Sequence, residues 1–262
     1  MNSVKIVAGL LLMLLMGCDG GTGSGGGSSS AASTGQAGSM SRFSLNGNKL
    51  YAITQTANSG WANTVQLFDI TDPAAPTPWS QLKTNFGIET LFSVDNRLYI
   101  GAMNGMYIYD ITDPAFPQLK GSYTHATACD PVVVQGIYAF VTLRSTAGAG
   151  RCWGNQNQLD VVDIADATLP TLARSYPMQS PKGLAIAGTT LFVCDDVAGL
   201  KVLDVTDPLN ISTIEVRAEI NCYDLIADNG TLIVSSKAGV YQYDYTVSPI
   251  VLLSEIPLAS VP

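Results

Sequence analysis

The chain has 262 residues, a formal charge of −8, 47% hydrophobic residues and 13% charged residues. That balance belongs to a globular domain with ample core and excludes a disordered chain. The acidic surplus excludes a nucleic-acid binder, because nothing in it could neutralise a run of phosphates.

Lys5 is the only early charge, and an apolar run from Ile6 to Gly17 follows it. A basic start, a short apolar stretch and then small residues form a secretory signal. About a dozen residues is too short for a helix to span a bilayer. The run ends on Leu15-Met16-Gly17-Cys18, which resembles a bacterial lipobox. The resemblance implies cleavage before Cys18 and a diacylglyceryl-modified cysteine as the new N-terminus. Two or three acyl chains would then hold the protein stably on the inner or outer membrane of a bacterial envelope. Residues 19–40 are a Gly/Ser tether without periodicity. About twenty such residues reach roughly 25 Å as a flexible coil. The expected organisation is a signal peptide at 1–17, a lipidated cysteine and linker at 18–40, and a folded domain at 41–262.

From Ser41 onward the chain repeats itself. An apolar run ending in aspartate recurs at Asp69, Asp110, Asp163, Asp204 and Asp244, with gaps of 41, 53, 41 and 40. A period near 40 built from short strands is a propeller-blade period. The second unit reads as four strands, "ETLFSV", "RLYIGA", "MYIYDI" and "QLKGSY", with turns at Asp95-Asn96, Asn104-Gly105 and Thr112-Asp113-Pro114. Their Val, Ile, Tyr and Phe content, bounded by Gly, Asn, Asp and Pro, suits strands, and no segment holds a helical period. The expected fold is all-β: a five-bladed β-propeller of four-stranded antiparallel blades at about 40–87, 88–128, 129–180, 181–221 and 222–262. No strand is swapped between first and last blades. The ring would therefore close by side-chain packing alone or be a partial ring completed by a partner.

Val65–Asp69, Met106–Asp110, Leu159–Asp163 and Leu200–Asp204 resemble the LVIVD repeat of bacterial and archaeal surface propellers. The resemblance covers residues 41–262, and the Asp-Ile/Val-Thr-Asp-Pro tail makes it specific. The third blade departs from it at Ala165 and Ala167, and the fifth at "DYTVSP". It implies a repeat architecture and no particular reaction. The recurring aspartates read as turn stabilisers, since Asp and Thr after an apolar run can bond backbone N–H groups two residues on. A catalytic group would be needed once.

Function on a regular scaffold sits where the repeat breaks. Measured from Tyr51, Tyr99, Phe140, Phe192 and Ile233, the anchor aspartate comes 18, 11, 23, 12 and 11 residues later. Blades 1 and 3 therefore carry long loops, Gln55–Asn63 and Arg144–Gln158, on the face that also holds the connectors between blades. Trp61, Trp153 and Arg151 in those loops suit a contact surface, where aromatic and Arg side chains dominate binding. Glu89, Asp130, Lys182 and Tyr223 start the first strands near the channel mouth, Asp224 follows Tyr223, and Asp195-Asp196 end a second strand. Gathered acids of this kind also suit a glycoside hydrolase, which needs two carboxylates flanking the bond.

His125 and Cys129 together fall short of a zinc ligand set, and no G-x-S-x-G elbow is present, so no metal, cofactor or serine triad is expected. Cys129, Cys152, Cys194 and Cys222 form an even set in an exported domain and read as disulfides. The preferred pairing is Cys129–Cys152 with Cys194–Cys222. Cys129 and Cys222 hold equivalent positions two blades apart, too far for a bond. The reading that emerges is a lipid-anchored, non-enzymatic binding module whose loop-bearing face meets a protein or glycan. The alternative is an exported glycoside hydrolase or lectin using the acids at the channel mouth.

Overall fold

A computed structural model describes residues 39–54, 62–125, 131–145, 152 and 154–258. They form five antiparallel four-stranded sheets, each in simple up-and-down order. Blade 1 is β1 (Phe43–Asn46), β2 (Lys49–Thr54), β3 (Thr64–Asp69) and β4 (Thr77–Lys83). Blade 2 is β5 (Ile88–Val94), β6 (Arg97–Ala102), β7 (Gly105–Asp110) and β8 (Gln118–Thr124). Blade 3 is β9 (Val132–Gln135), β10 (Tyr138–Leu143), β11 (Gln158–Asp163) and β12 (Thr171–Pro177). Blade 4 is β13 (Leu184–Ala187), β14 (Thr190–Cys194), β15 (Leu200–Asp204) and β16 (Ser212–Arg217), with one 3-10 turn at Asp196–Ala198. Blade 5 is β17 (Cys222–Asp228), β18 (Thr231–Ser236), β19 (Gly239–Asp244) and β20 (Val251–Pro257). The all-β, five-bladed architecture read from the repeat is the architecture found.

Tight hairpins join the first two strands of each blade. Asp95 (φ 51°) and Asn229 (φ 46°) supply the left-handed residue such turns require. Each anchor aspartate does one job in every blade. The Oδ1 of Asp69, Asp110, Asp163, Asp204 and Asp244 accepts the backbone N–H two residues on, at 2.8–2.9 Å. Asp72, Asp113, Asp166 and Asp207 repeat the device three residues later, at 2.9–3.0 Å. Hydrogen bonds from Thr hold the carboxyls of Asp69, Asp204 and Asp244 below the usual carboxylate range. Lys120 adds to the same effect at Asp110, bringing it to about 2.

The sheets pack face on face. Tyr51, Tyr99, Phe140 and Phe192 each point at the following blade and are at most 1% exposed. The core is thus a series of sandwiches: Tyr51 and Leu67 against Leu98 and Ile100, Tyr99 and Ile108 against Ala139 and Val162, and Phe192 and Val202 against Leu232 and Tyr243.

The junction between blade 5 and blade 1 differs. Ile233 holds the position of those four aromatic residues, and Val240 that of Val65, Met106, Leu159 and Leu200, yet both are half-buried. On blade 1, Leu50 and Ala52 are half-buried where Leu98, Ile100, Leu191, Val193, Leu232 and Val234 are fully buried. Both faces are partly polar: Gln81 donates to Gln66 (2.7 Å) and Ser254 donates to Gln242 (3.2 Å). Terminal repeats finished with polar groups avoid exposing a bare core. Among the described residues, four blade interfaces are sealed and the fifth is not.

Candidate functional site: the connector face

First strands begin on the connector face and end at the hairpins. The C-terminal ends of β2 and β10 and the starts of β3 and β11, which flank the two insertions, lie on the connector face. Trp61, Arg151, Trp153, Asp130, Cys129 and Cys18 lie outside the described residues. Glu89, Lys182, Asp195, Asp196, Tyr223 and Asp224 are described.

Lys182 is the hub. Its Nζ is 3.0 Å from Asp196 Oδ1 and 4.6 Å from the centroid of Tyr223, an ion pair and a cation–π contact on one ammonium. Its backbone N–H donates to Cys194 O (2.7 Å), and its carbonyl accepts Thr142 Oγ1 (2.7 Å). Blades 3, 4 and 5 are thereby tied through one residue. Glu89 and Tyr223 each sit at a register shift at the start of their strand, so the bulge turns their side chains out of the regular pattern.

Asp195 was read as an acid of the channel mouth; its side chain is in fact wholly buried. Its carboxylate accepts Gln179 N (2.9 and 3.1 Å), Ser180 N (2.7 Å) and Lys201 Nζ (2.6 Å). It fixes the connector that enters blade 4. A carboxylate enclosed in this way has no lone pair left to offer a substrate.

Asp224 is enclosed as well. Its Oδ1 accepts Ser39 Oγ and Met40 N, each at 3.4 Å. Ser39 Oγ in turn accepts the N–H of Leu184 (2.6 Å), and Ser39 is 1% exposed. Burial pushes the Asp224 carboxyl up to about 6 against those hydrogen bonds, which lower it. Gly183 lies opposite, where a Cβ would collide with the Asp224 carboxylate. The segment that leads into blade 1 therefore crosses the connector end of the channel and is clasped by blades 4 and 5.

Cys194 and Cys222 form a disulfide with Cα atoms 5.4 Å apart, joining blade 4 to blade 5 across the same face. Cys152 is also disulfide-bonded. His125, read as a solvated connector residue, is half-buried, with its ring 5.9 Å from that of Tyr123.

The other end of the channel holds a cavity of about 550 Å³. Phe92, Val134, Ile186 and Ile226 line it, with Asp95 and Asp228 at its rim. Sequence reasoning placed no cavity there. It also missed Asp160, buried between blades 2 and 3, which accepts Tyr123 Oη (2.9 Å) and Ser175 Oγ (2.6 Å). The signal available was a polar residue in mid-strand at equivalent positions: Gln66, Tyr107, Asp160, Lys201 and Tyr241. Among the described residues, no three or more His, Cys, Asp or Glu side chains gather to hold a metal ion.

The family model of the LVIVD repeat matches residues 94–125 and 153–177, the anchor turn of blade 2 and the body of blade 3. These two segments are similar to LVIVD repeats. The matched segments contain Asp110 and Asp163 with their turn hydrogen bonds. No curated protein matches the chain.

Solved structures are similar in fold. The computationally designed Ika8 protein aligns with a TM-score of 0.57 at 14% identity, covering 82% of this chain and 60% of its own. A protein from Lactobacillus plantarum aligns at 0.57 and 17% identity, covering 79% and 67%. A functionally unknown protein from Desulfotomaculum acetoxidans DSM 771 aligns at 0.63 and 9% identity, covering 87% and 71%. The chain thus spans about three fifths of the length of Ika8. At these identities the likeness concerns the fold alone.

Proposed function

We propose that this LVIVD propeller is an exported, membrane-anchored binding module without catalytic activity, whose connector face captures a protein or glycan. The observation that carries the reading is that the strand ends flanking both long insertions, Thr54 and Thr64 in blade 1 and Leu143 and Gln158 in blade 3, lie on the face that Lys182, Asp195 and Cys194–Cys222 stiffen. Rigid scaffolds that hold irregular loops are the usual way binding surfaces are built. The acids beside the channel support a non-enzymatic role, because Asp195 and Asp196 are committed to Lys201 and Lys182. Anchoring through acylated Cys18 rests on Leu15–Cys18 and the tether that follows.

Alanine at Trp61, Arg151 and Trp153 tests the face. Pull-down of the acylated protein from its native envelope should recover a partner with the parent and lose it with the triple variant. Undiminished capture by the triple variant rules the face out.

One observation favours a glycoside-active or lectin reading: Asp224 is enclosed, with its carboxyl raised to about 6, as a general acid would be. A glycan array and a chromogenic glycoside panel decide it. Hydrolysis lost in Asp224→Asn would replace the binding-module reading.

A further inference from the structure

We propose that β20 is a self-association edge, through which two copies of this chain pair antiparallel into a continuous eight-stranded sheet. Every blade ends in an outer strand with an unpaired edge, which proteins protect with basic residues, proline or short length. Four outer strands each carry one basic side chain: Lys83 in β4, Lys120 in β8, Arg174 in β12 and Arg217 in β16. β20, "VLLSEIP", carries none. It is also the most apolar of the five outer strands. Val251, Leu252, Leu253 and Ile256 are 51%, 48%, 55% and 59% exposed, and the following Leu258 is 62% exposed. The outer strands of blades 2 and 3 each expose a single large apolar side chain, Leu119 and Leu172. In those blades the counterparts of Ile256 are Tyr123 and Tyr176, which pack against the next blade.

A second copy is the occupant that matches this strip on each count. A bare edge needs another strand to satisfy its outward N–H and C=O groups, and an isologous pair supplies one from the same surface. With a formal charge of −8, two copies repel in most orientations, so a contact must keep carboxylates apart. Glu255 is the single charge on β20. A register centred on Ser254 sets Glu255 opposite Leu253 of the partner subunit and Leu252 opposite Ile256 of the partner subunit. A register centred on Glu255 would face the two carboxylates and is disfavoured. Partial cover of Val251, Leu252, Leu253, Ile256 and Leu258 in both copies removes on the order of several hundred Å² from water, below the standard size of a specific interface. The contact is therefore modest in solution and stronger where copies are crowded on one surface.

Ser254→Cys tests the register, because it places two thiols opposite each other at the two-fold axis. Ser122→Cys, on the Lys120-bearing β8, is the control. With the full-length protein under mild oxidation, non-reducing electrophoresis should show a covalent dimer for Ser254→Cys and none above background for Ser122→Cys. Adding Leu253→Lys and Ile256→Lys to Ser254→Cys should abolish the dimer, while the thermal transition stays within a few degrees of the parent. A monomeric Ser254→Cys protein, or equal cross-linking of both single-cysteine variants, overturns the proposal. So does binding of Ser254→Cys protein, with Cys18 also replaced by serine, to lipid vesicles without cross-linking, which would assign the strip to a membrane surface.

Discussion

Asp224→Asn separates the clasp from its charge. In the parent, burial raises this carboxyl from 3.8 in the unfolded chain to about 6 in the fold. A folded value above the unfolded one means that the native state prefers the proton. The stabilisation is complete below about pH 4, fades as pH rises from 4 through 6 and is gone by about pH 7. A displacement of about two pKa units corresponds to about 3 kcal/mol, and partial solvent contact brings the working figure to about 2 to 3 kcal/mol. Asparagine keeps an oxygen to accept Ser39 Oγ and Met40 N but has no proton to lose. The variant should match the parent below about pH 4 and exceed it by about 2 to 3 kcal/mol at pH 7 to 8. Urea unfolding at half-unit pH steps measures the difference directly, and shifts common to both proteins cancel. A constant gap between the two curves from pH 4 to 7 would refute the claim that a buried carboxylate is ionised at the clasp.

Asp195→Ala leaves Gln179 N, Ser180 N and Lys201 without their acceptor, so it should cost about 3 kcal/mol or more by urea unfolding. Asp204→Ala, which frees one turn N–H on the surface, should cost much less than Asp195→Ala in the same assay. Cys194→Ser with Cys222→Ser opens a bond spanning 28 residues and should lower stability by about 3 kcal/mol, and reductant should then have a smaller effect than on the parent. Cys18→Ser should move the protein from the membrane to the soluble fraction and remove labelling by a fatty-acid precursor.

The legible part of this molecule was its periodic part. "YIYDITDP" announces a strand by its apolar run and a turn by its Asp-Thr-Asp-Pro, both local properties, and the five anchor aspartates make the same bond. What distinguishes one blade from another depends on neighbours far along the chain. Asp195 and Asp196 look alike in sequence; one is sealed beneath Gln179 and Ser180 while the other remains at the surface with Lys182. Ser39 sits in a stretch indistinguishable from the tether before it, yet its partners are 145 and 185 residues away. The half-exposed junction of blades 5 and 1 left a trace, isoleucine where four blades place an aromatic ring, that is read only once the registers are aligned.

The entry of the chain at the channel has a mechanical meaning. Tension drawn along the segment before Ser39 does not reach β1 first. It reaches Leu184 and Asp224, and through Cys194–Cys222 it is shared between blades 4 and 5. Pulling on an edge strand would open hydrogen bonds one at a time, as a zip does. Here the load arrives at the axis and must shear several contacts together. A domain held near its axis in this way would resist force drawn along its N-terminal segment, while its outer strands stay unloaded.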